Sequence, residues 1–234
     1  PNPRGPAAHR APALRAHPLA EACGALQRGH PPGPGPGICR DYSQLEQLPA
    51  HPLLEGQPLL GFYPGSSLGN FDPEEARALL RQFARLLGPS GRLLIGIDQP
   101  KAPQRLEAAY DDAAGVSAAF AFNLLARLNR DLVGSFDPTQ FRYQARWQPQ
   151  HSRIAMALVS RREQMVQLAG SSWPFAAGEP LITEYSHKYT PEAFAALAAD
   201  AGWRGTRRWS DPANDLSLHL LVQADSEPAT TVGR

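Results

Sequence analysis

Gly61-Phe62-Tyr63-Pro64-Gly65-Ser66-Ser67-Leu68-Gly69-Asn70-Phe71-Asp72-Pro73 is the stretch on which the reading of this chain turns. An apolar strand from Pro58 to Tyr63 runs into a loop of small residues, and the loop ends where a helix starts. In open α/β sheets, ligands bind in the crevice at the carboxyl ends of the strands. Glycines let the backbone approach such a ligand closely, and Asn70 places an amide donor and acceptor beside it. The stretch therefore predicts a binding loop at a strand end, with the ligand open.

Working outward, Asp72-Pro73-Glu74-Glu75 carries the signs of a helix start. Asp72 is the N-cap, proline takes the first helical position, and Glu75 can close a capping box. Ala76, Leu79, Leu80, Phe83, Leu86 and Leu87 share one face, and Gly88 should end the helix. Arg92 to Asp98 is a nearly continuous apolar run, as expected of a parallel strand buried on both faces. Strand, helix and strand joined by short loops predict one right-handed crossover of a doubly wound sheet.

Beyond Asp98 the spacing predicts a helical region from about Gln104 to Leu132. Phe141 to Gln148, Arg153 to Ser160 and Gln164 to Ala169 are β-rich and predict an antiparallel meander, with a further strand over Pro180 to Ser186. Thr190-Pro191-Glu192 starts another helix, which Gly202 ends near Ala201, and Thr206 to Ser210 and Leu216 to Gln223 are closing strands. Trp147, Trp173, Trp203 and Trp209 read as packing residues.

Residues 1–39 are crowded with Pro, Ala, Arg, Gly and His and contain no aromatic residue. The run from Gly29 to Gly37 cannot form a helix or a sheet strand. This segment reads as a disordered tail, or as a segment translated out of frame from GC-rich DNA. The remainder divides into a discontinuous core (40–99 and 190–224), an insertion (100–189) and a tail (225–234).

The bulk numbers exclude several classes. The net charge of +1 demands neither nucleic acid nor an anionic membrane as partner. Two cysteines, Cys23 and Cys39, form no disulfide framework or metal-ligand spacing, which favours a reducing cytoplasm. No apolar run approaches the roughly 18 residues of a membrane span, and the amino terminus lacks the apolar core of a secretory signal. The seven histidines are scattered without a metal-binding pair. No Ser-His-Asp arrangement or phosphate-binding P-loop is evident.

Five segments share a pattern that no general fold constraint requires. They are Asp41 to Ser43, Gly61 to Phe71, Leu106 to Val116, Phe122 to Asn129, and Thr183-Glu184-Tyr185-Ser186-His187-Lys188-Tyr189. Over residues 41 to 222 they resemble, with spacing preserved, the histidine Nα-methyltransferases that begin ergothioneine biosynthesis. The resemblance implies an α/β fold: a class I methyltransferase (Rossmann-like) sheet, incomplete at its amino terminus, with an inserted α+β substrate-binding domain. It implies S-adenosylmethionine as cofactor, L-histidine as small-molecule substrate, a monomer, and no nucleic-acid or membrane partner.

The resemblance also distributes roles. Asn70 looks like the amide that holds the substrate's α-amino and carboxylate groups, although an isolated loop Asn more often satisfies its own backbone. Tyr110 looks like the residue that grips the carboxylate; read alone it is a helix-face aromatic of the core. Glu184 and Ser186 alternate along a strand and project to one face, where they could bond the two imidazole nitrogens; read alone they are a solvated strand face. His187 points to the opposite face, and Lys188 could neutralise Glu184. Asp41 and Tyr42 resemble the pair that flanks the adenine of S-adenosylmethionine, and Gly65 allows the cofactor's close approach. The family's first strand with its glycine-rich loop, its ribose-binding acid and its upstream substrate tyrosines find no counterpart in residues 1–39. The expectation is a histidine methyltransferase whose present chain is inactive or poorly folded alone, with a non-catalytic amino-acid-binding remnant or a pseudogene product as the alternative.

Overall fold

The capping chemistry at Asp72 organises the core sheet. In the computed structural model, which describes residues 41, 42, 45–52 and 54–224, helix α1 spans Pro73–Leu87. Its capping box closes as predicted, with the Asp72 backbone N–H donating to Glu75 Oε2 at 3.1 Å, and Gly88 ends it at φ 70°. Strand β1 (Leu60–Tyr63) precedes this helix and β2 (Arg92–Asp98) follows it, paired in parallel with Leu60 opposite Arg92 and Tyr63 opposite Ile95. The expectations for residues 1–39 and 225–234 lie outside the described residues. The chain divides at Ala50/His51 into two compact units, and all that follows except Asp41 and Tyr42 concerns the second.

Nine strands and four helices are described in this unit. The insertion carries α2 (Pro103–Tyr110), α3 (Val116–Asp131), β3 (Phe141–Gln148), β4 (Arg153–Ser160), β5 (Gln164–Leu168), β6 (Ser171–Phe175) and β7 (Pro180–His187). Helix α4 (Pro191–Asp200) leads to β8 (Trp203–Ser210) and β9 (Leu216–Gln223). The core sheet has the order β1-β2-β9-β8, with β9 antiparallel to both neighbours. An antiparallel edge on an otherwise parallel sheet is common in doubly wound folds.

Ala76, Leu79 and Leu80 of α1 and Phe194, Leu197 and Ala198 of α4 pack with Leu93, Ile95 and Ile97 in one core. Trp203 ties this layer together, its indole N–H donating to the Leu80 carbonyl at 2.8 Å from a fully buried position. Gln223 supplies amide donors to the Ala84 and Gly88 carbonyls, satisfying the end of α1. On the opposite face Leu60 and Phe62 are exposed, and β1 is an edge strand of the sheet as described.

Several expectations need correction. The helical region expected over 104–132 is present and is divided into two helices, because Gly115 turns left-handed and the Asp112 carboxylate accepts the N–H groups of Val116 and Ser117, starting α3 afresh. Those bonds hold the Asp112 carboxyl down at about 2. The meander is instead a three-stranded sheet β3-β4-β7 and a separate β5-β6 hairpin. Its two-residue turn is Ala169-Gly170, both at positive φ, a geometry that alanine does not advertise. Trp173 and Trp209 are about half exposed, on the hairpin and the outer strand β8, so they are not core packing residues.

Candidate functional site

Two glycine contacts bring the strand-end loop into place. Gly65, at φ +74°, lays its carbonyl directly over Gly96 of β2, in the space where a Cβ on Gly96 would sit. At Gly65 itself a Cβ would meet nothing within 4 Å, so the carboxyl end of β1 opens onto free space. The loop then forms a 3-10 turn over Ser67–Asn70, with Leu68 and Gly69 buried and Asn70 exposed. Gly69 packs against the His187 backbone carbonyl at the end of β7. The turn that carries Asn70 is thereby seated on the strand that carries Glu184 and Ser186.

Tyr110, the last residue of α2, meets Ser186 through a 2.8 Å bond between the phenol and the serine hydroxyl. The Tyr110 carbonyl in turn accepts from the Tyr143 hydroxyl at 2.8 Å, fixing the end of α2 on β3. Glu184 is half-buried and lines, with Tyr110, Tyr143, Phe120, Leu124 and Arg127, a cavity of about 490 Å³ between α3 and the β3-β4-β7 sheet. Burial raises the Glu184 carboxyl pKa above its ordinary value, and burial first, with nearby carboxylates, pushes the Tyr143 phenol up to about 12. A mostly apolar cavity with a few converging polar groups is the usual form of a small-molecule site.

Lys188 sits behind this cluster with no exposed side-chain surface. Its ammonium donates to Asp98 Oδ2 at 2.7 Å, to the Tyr110 hydroxyl at 2.6 Å and to Ser186 Oγ at 2.8 Å. The expected Lys188–Glu184 neutralisation is therefore replaced: Lys188 pairs with Asp98, whose other oxygen accepts from Lys101 at 2.6 Å. Lys188 follows the end of β7 and is drawn across to the carboxyl end of β2, as the Tyr189 N–H bond to the Asp98 carbonyl shows. Asp98 and Lys188 were missed as a pair; the available signal was an acidic residue at the carboxyl end of a buried strand.

His187 lies on the other face of β7, buried, with Nε2 3.3 Å from Asp72 Oδ1. Burial lowers its pKa, and Asp72 only partly offsets that. Asp41 and Tyr42 belong to the unit that precedes His51, Asp41 partly buried and Tyr42 exposed. Among the described residues no group of His, Cys, Asp and Glu could hold a metal ion, and no helix is long and apolar enough to cross a membrane.

A parallel strand pair opening at its carboxyl end is extended by an antiparallel hairpin into a mixed α/β sheet. The family model described as histidine-specific methyltransferase, S-adenosylmethionine-dependent, matches residues 11–223, and the chain belongs to that family. The match begins inside the proline-rich segment that composition had set apart.

Curated relatives include the histidine N-alpha-methyltransferases of Mycolicibacterium smegmatis, 42% identical, and Mycobacterium tuberculosis, 36% identical. Each alignment covers 80% of this chain and 57% of the relative, so the chain spans little more than half their length. An ergothioneine biosynthesis protein of Neurospora crassa is 28% identical over 68% of this chain and 18% of its own. Among solved structures, the CcbJ methyltransferase from Streptomyces caelestis aligns at a TM-score of 0.44 and 14% identity, covering 88% of this chain and 76% of that one.

Proposed function

We propose that this chain carries the amino-acid-binding part of an S-adenosylmethionine-dependent methyltransferase that converts L-histidine to Nα,Nα,Nα-trimethylhistidine, the entry to ergothioneine. The observation that carries the reading is the grouping of Glu184, Ser186 and Tyr110 at one face of β7, where Tyr110 and Ser186 bond at 2.8 Å. In the reading, Glu184 and Ser186 bond the two imidazole nitrogens, and the insertion (100–189) serves as the substrate-binding domain. Tyr110 bonds the carboxylate, and Asn70 holds the α-amino and carboxylate groups from the strand-end turn.

The residues' task is orientation: a neutral amine must be held with its lone pair in line with an electrophilic carbon. A pocket built to bond a ring N–H and nitrogen rejects amino acids without them, because its polar groups would be left unpaired. The open carboxyl end of β1 at Gly65 fits a cofactor's close approach, with Asp41 and Tyr42 assigned to the adenine. S-adenosylmethionine, when bound, supplies the electrophilic sulfonium methyl group. The reading places the protein in the cytoplasm, as a monomer.

The test is histidine-dependent formation of S-adenosylhomocysteine by the chain and by its Asn70→Ala and Glu184→Ala variants. Turnover lost in both variants supports the assignment; turnover unchanged in both overturns it. A second reading is histidine binding without methyl transfer. Calorimetric histidine binding with no S-adenosylhomocysteine formed would select it.

A further inference from the structure

An ammonium has three hydrogens and no lone pair, so the three partners of Lys188 use all of its bonding capacity. Both the Tyr110 and the Ser186 hydroxyls therefore accept a hydrogen from Lys188. The two hydroxyls are also 2.8 Å from each other, so one of them donates to the other. Each hydroxyl has one hydrogen and two lone pairs. Whichever hydroxyl accepts the mutual bond has both lone pairs filled and can only donate outward. Whichever donates it has spent its hydrogen and can only accept outward.

We propose that the Tyr110–Ser186 bond, with one lone pair of each hydroxyl held by the Asp98-anchored Lys188, makes the two hydroxyls present opposite hydrogen-bond polarity to the ligand. The inference rests on the functional reading above and deepens it. With Tyr110 donating to the substrate carboxylate, Ser186 has given its hydrogen to Tyr110 and accepts from a ring N–H. The site thus selects a ring that carries a donor at Ser186, and the carboxylate at Tyr110 is what sets that requirement. Burial of Lys188 and its grip by Asp98 keep the ammonium from releasing either hydroxyl.

The probe is calorimetric binding of L-histidine and of 3-(thiazol-4-yl)alanine, whose ring nitrogen accepts but carries no hydrogen. Wild type should bind histidine at least tenfold more tightly. In Tyr110→Phe the Ser186 hydrogen is freed to donate to the thiazole nitrogen, so the histidine preference should fall severalfold. A tyrosine that only held the carboxylate would weaken both ligands equally, and an unchanged ratio overturns the proposal. Wild type binding neither ligand overturns the functional reading and this inference with it. Histidine binding with a ratio insensitive to Tyr110→Phe overturns this inference alone.

Discussion

The backbone of Gly69 rests directly against the carbonyl of His187, so a turn of the core sheet and a strand of the insertion touch without a side chain between them. Asn70 follows Gly69, and Ser186 precedes His187. The contact therefore sets the distance between the two groups assigned to opposite ends of an amino acid.

A methyl group at this point must displace one backbone or the other. Gly69→Ala should cost about 1–3 kcal/mol of stability, the usual range for overpacking a close contact. It should also weaken histidine binding by an amount comparable to Asn70→Ala. Denaturant unfolding and calorimetry of the two variants side by side check both expectations.

Glu184 gives a pH dependence with a definite sign. Burial raises its pKa, so the folded state holds the proton more tightly than the unfolded chain does. Stability should then fall as pH rises from the ordinary carboxyl range through the raised value. Glu184→Gln should unfold at a higher temperature than wild type at pH 7, with no difference below pH 4, while binding histidine more weakly.

His219 acts in the opposite direction. It packs 4.7 Å from the Phe194 ring, bonds Ser217 Oγ at 2.9 Å, and burial holds its pKa down at about 4. The unfolded chain takes up a proton from about pH 6.5 downward while the folded state resists, so stability present above that pH is lost on acidification toward 4. His219→Gln keeps a partner for Ser217 and does not titrate. Its melting temperature should fall less steeply between pH 6.5 and 4, after subtracting the shift at pH 7.

Strand β1 should limit solubility. In the sheet as described it is an edge strand with Leu60 and Phe62 exposed on one face, a pairing template of the kind that drives self-association. Phe62→Lys should lower light scattering at high protein concentration and change unfolding free energy by no more than about 0.5 kcal/mol, as for other surface substitutions. Scattering unchanged from wild type would locate the association elsewhere.

What was legible in the sequence followed local rules. The Asp72 capping box, the stop at Gly88 and the buried strand Arg92–Asp98 depend on neighbours within one helical turn or on a simple apolar run. The Ala169-Gly170 turn was not legible, because it needs an alanine in a conformation that alanine rarely adopts, and the break at Gly115 depends on Asp112 accepting the N–H groups of Val116 and Ser117, which an isolated glycine does not reveal. The alternation of Glu184 and Ser186 was legible as a shared face, but nothing in it revealed Tyr143 or the Asp98–Lys188 pair.

By itself, then, the sequence determined the crossover around Gly61–Asp98, the helix boundaries set by capping, and membership of a histidine-specific methyltransferase family. Only the tertiary structure decided which carboxylate meets Lys188. A lysine two residues from Ser186 can turn toward Glu184 or away from it. The backbone bond from the Tyr189 N–H to the Asp98 carbonyl makes the choice, since a fully buried ammonium has to find a carboxylate and enough acceptors within its reach.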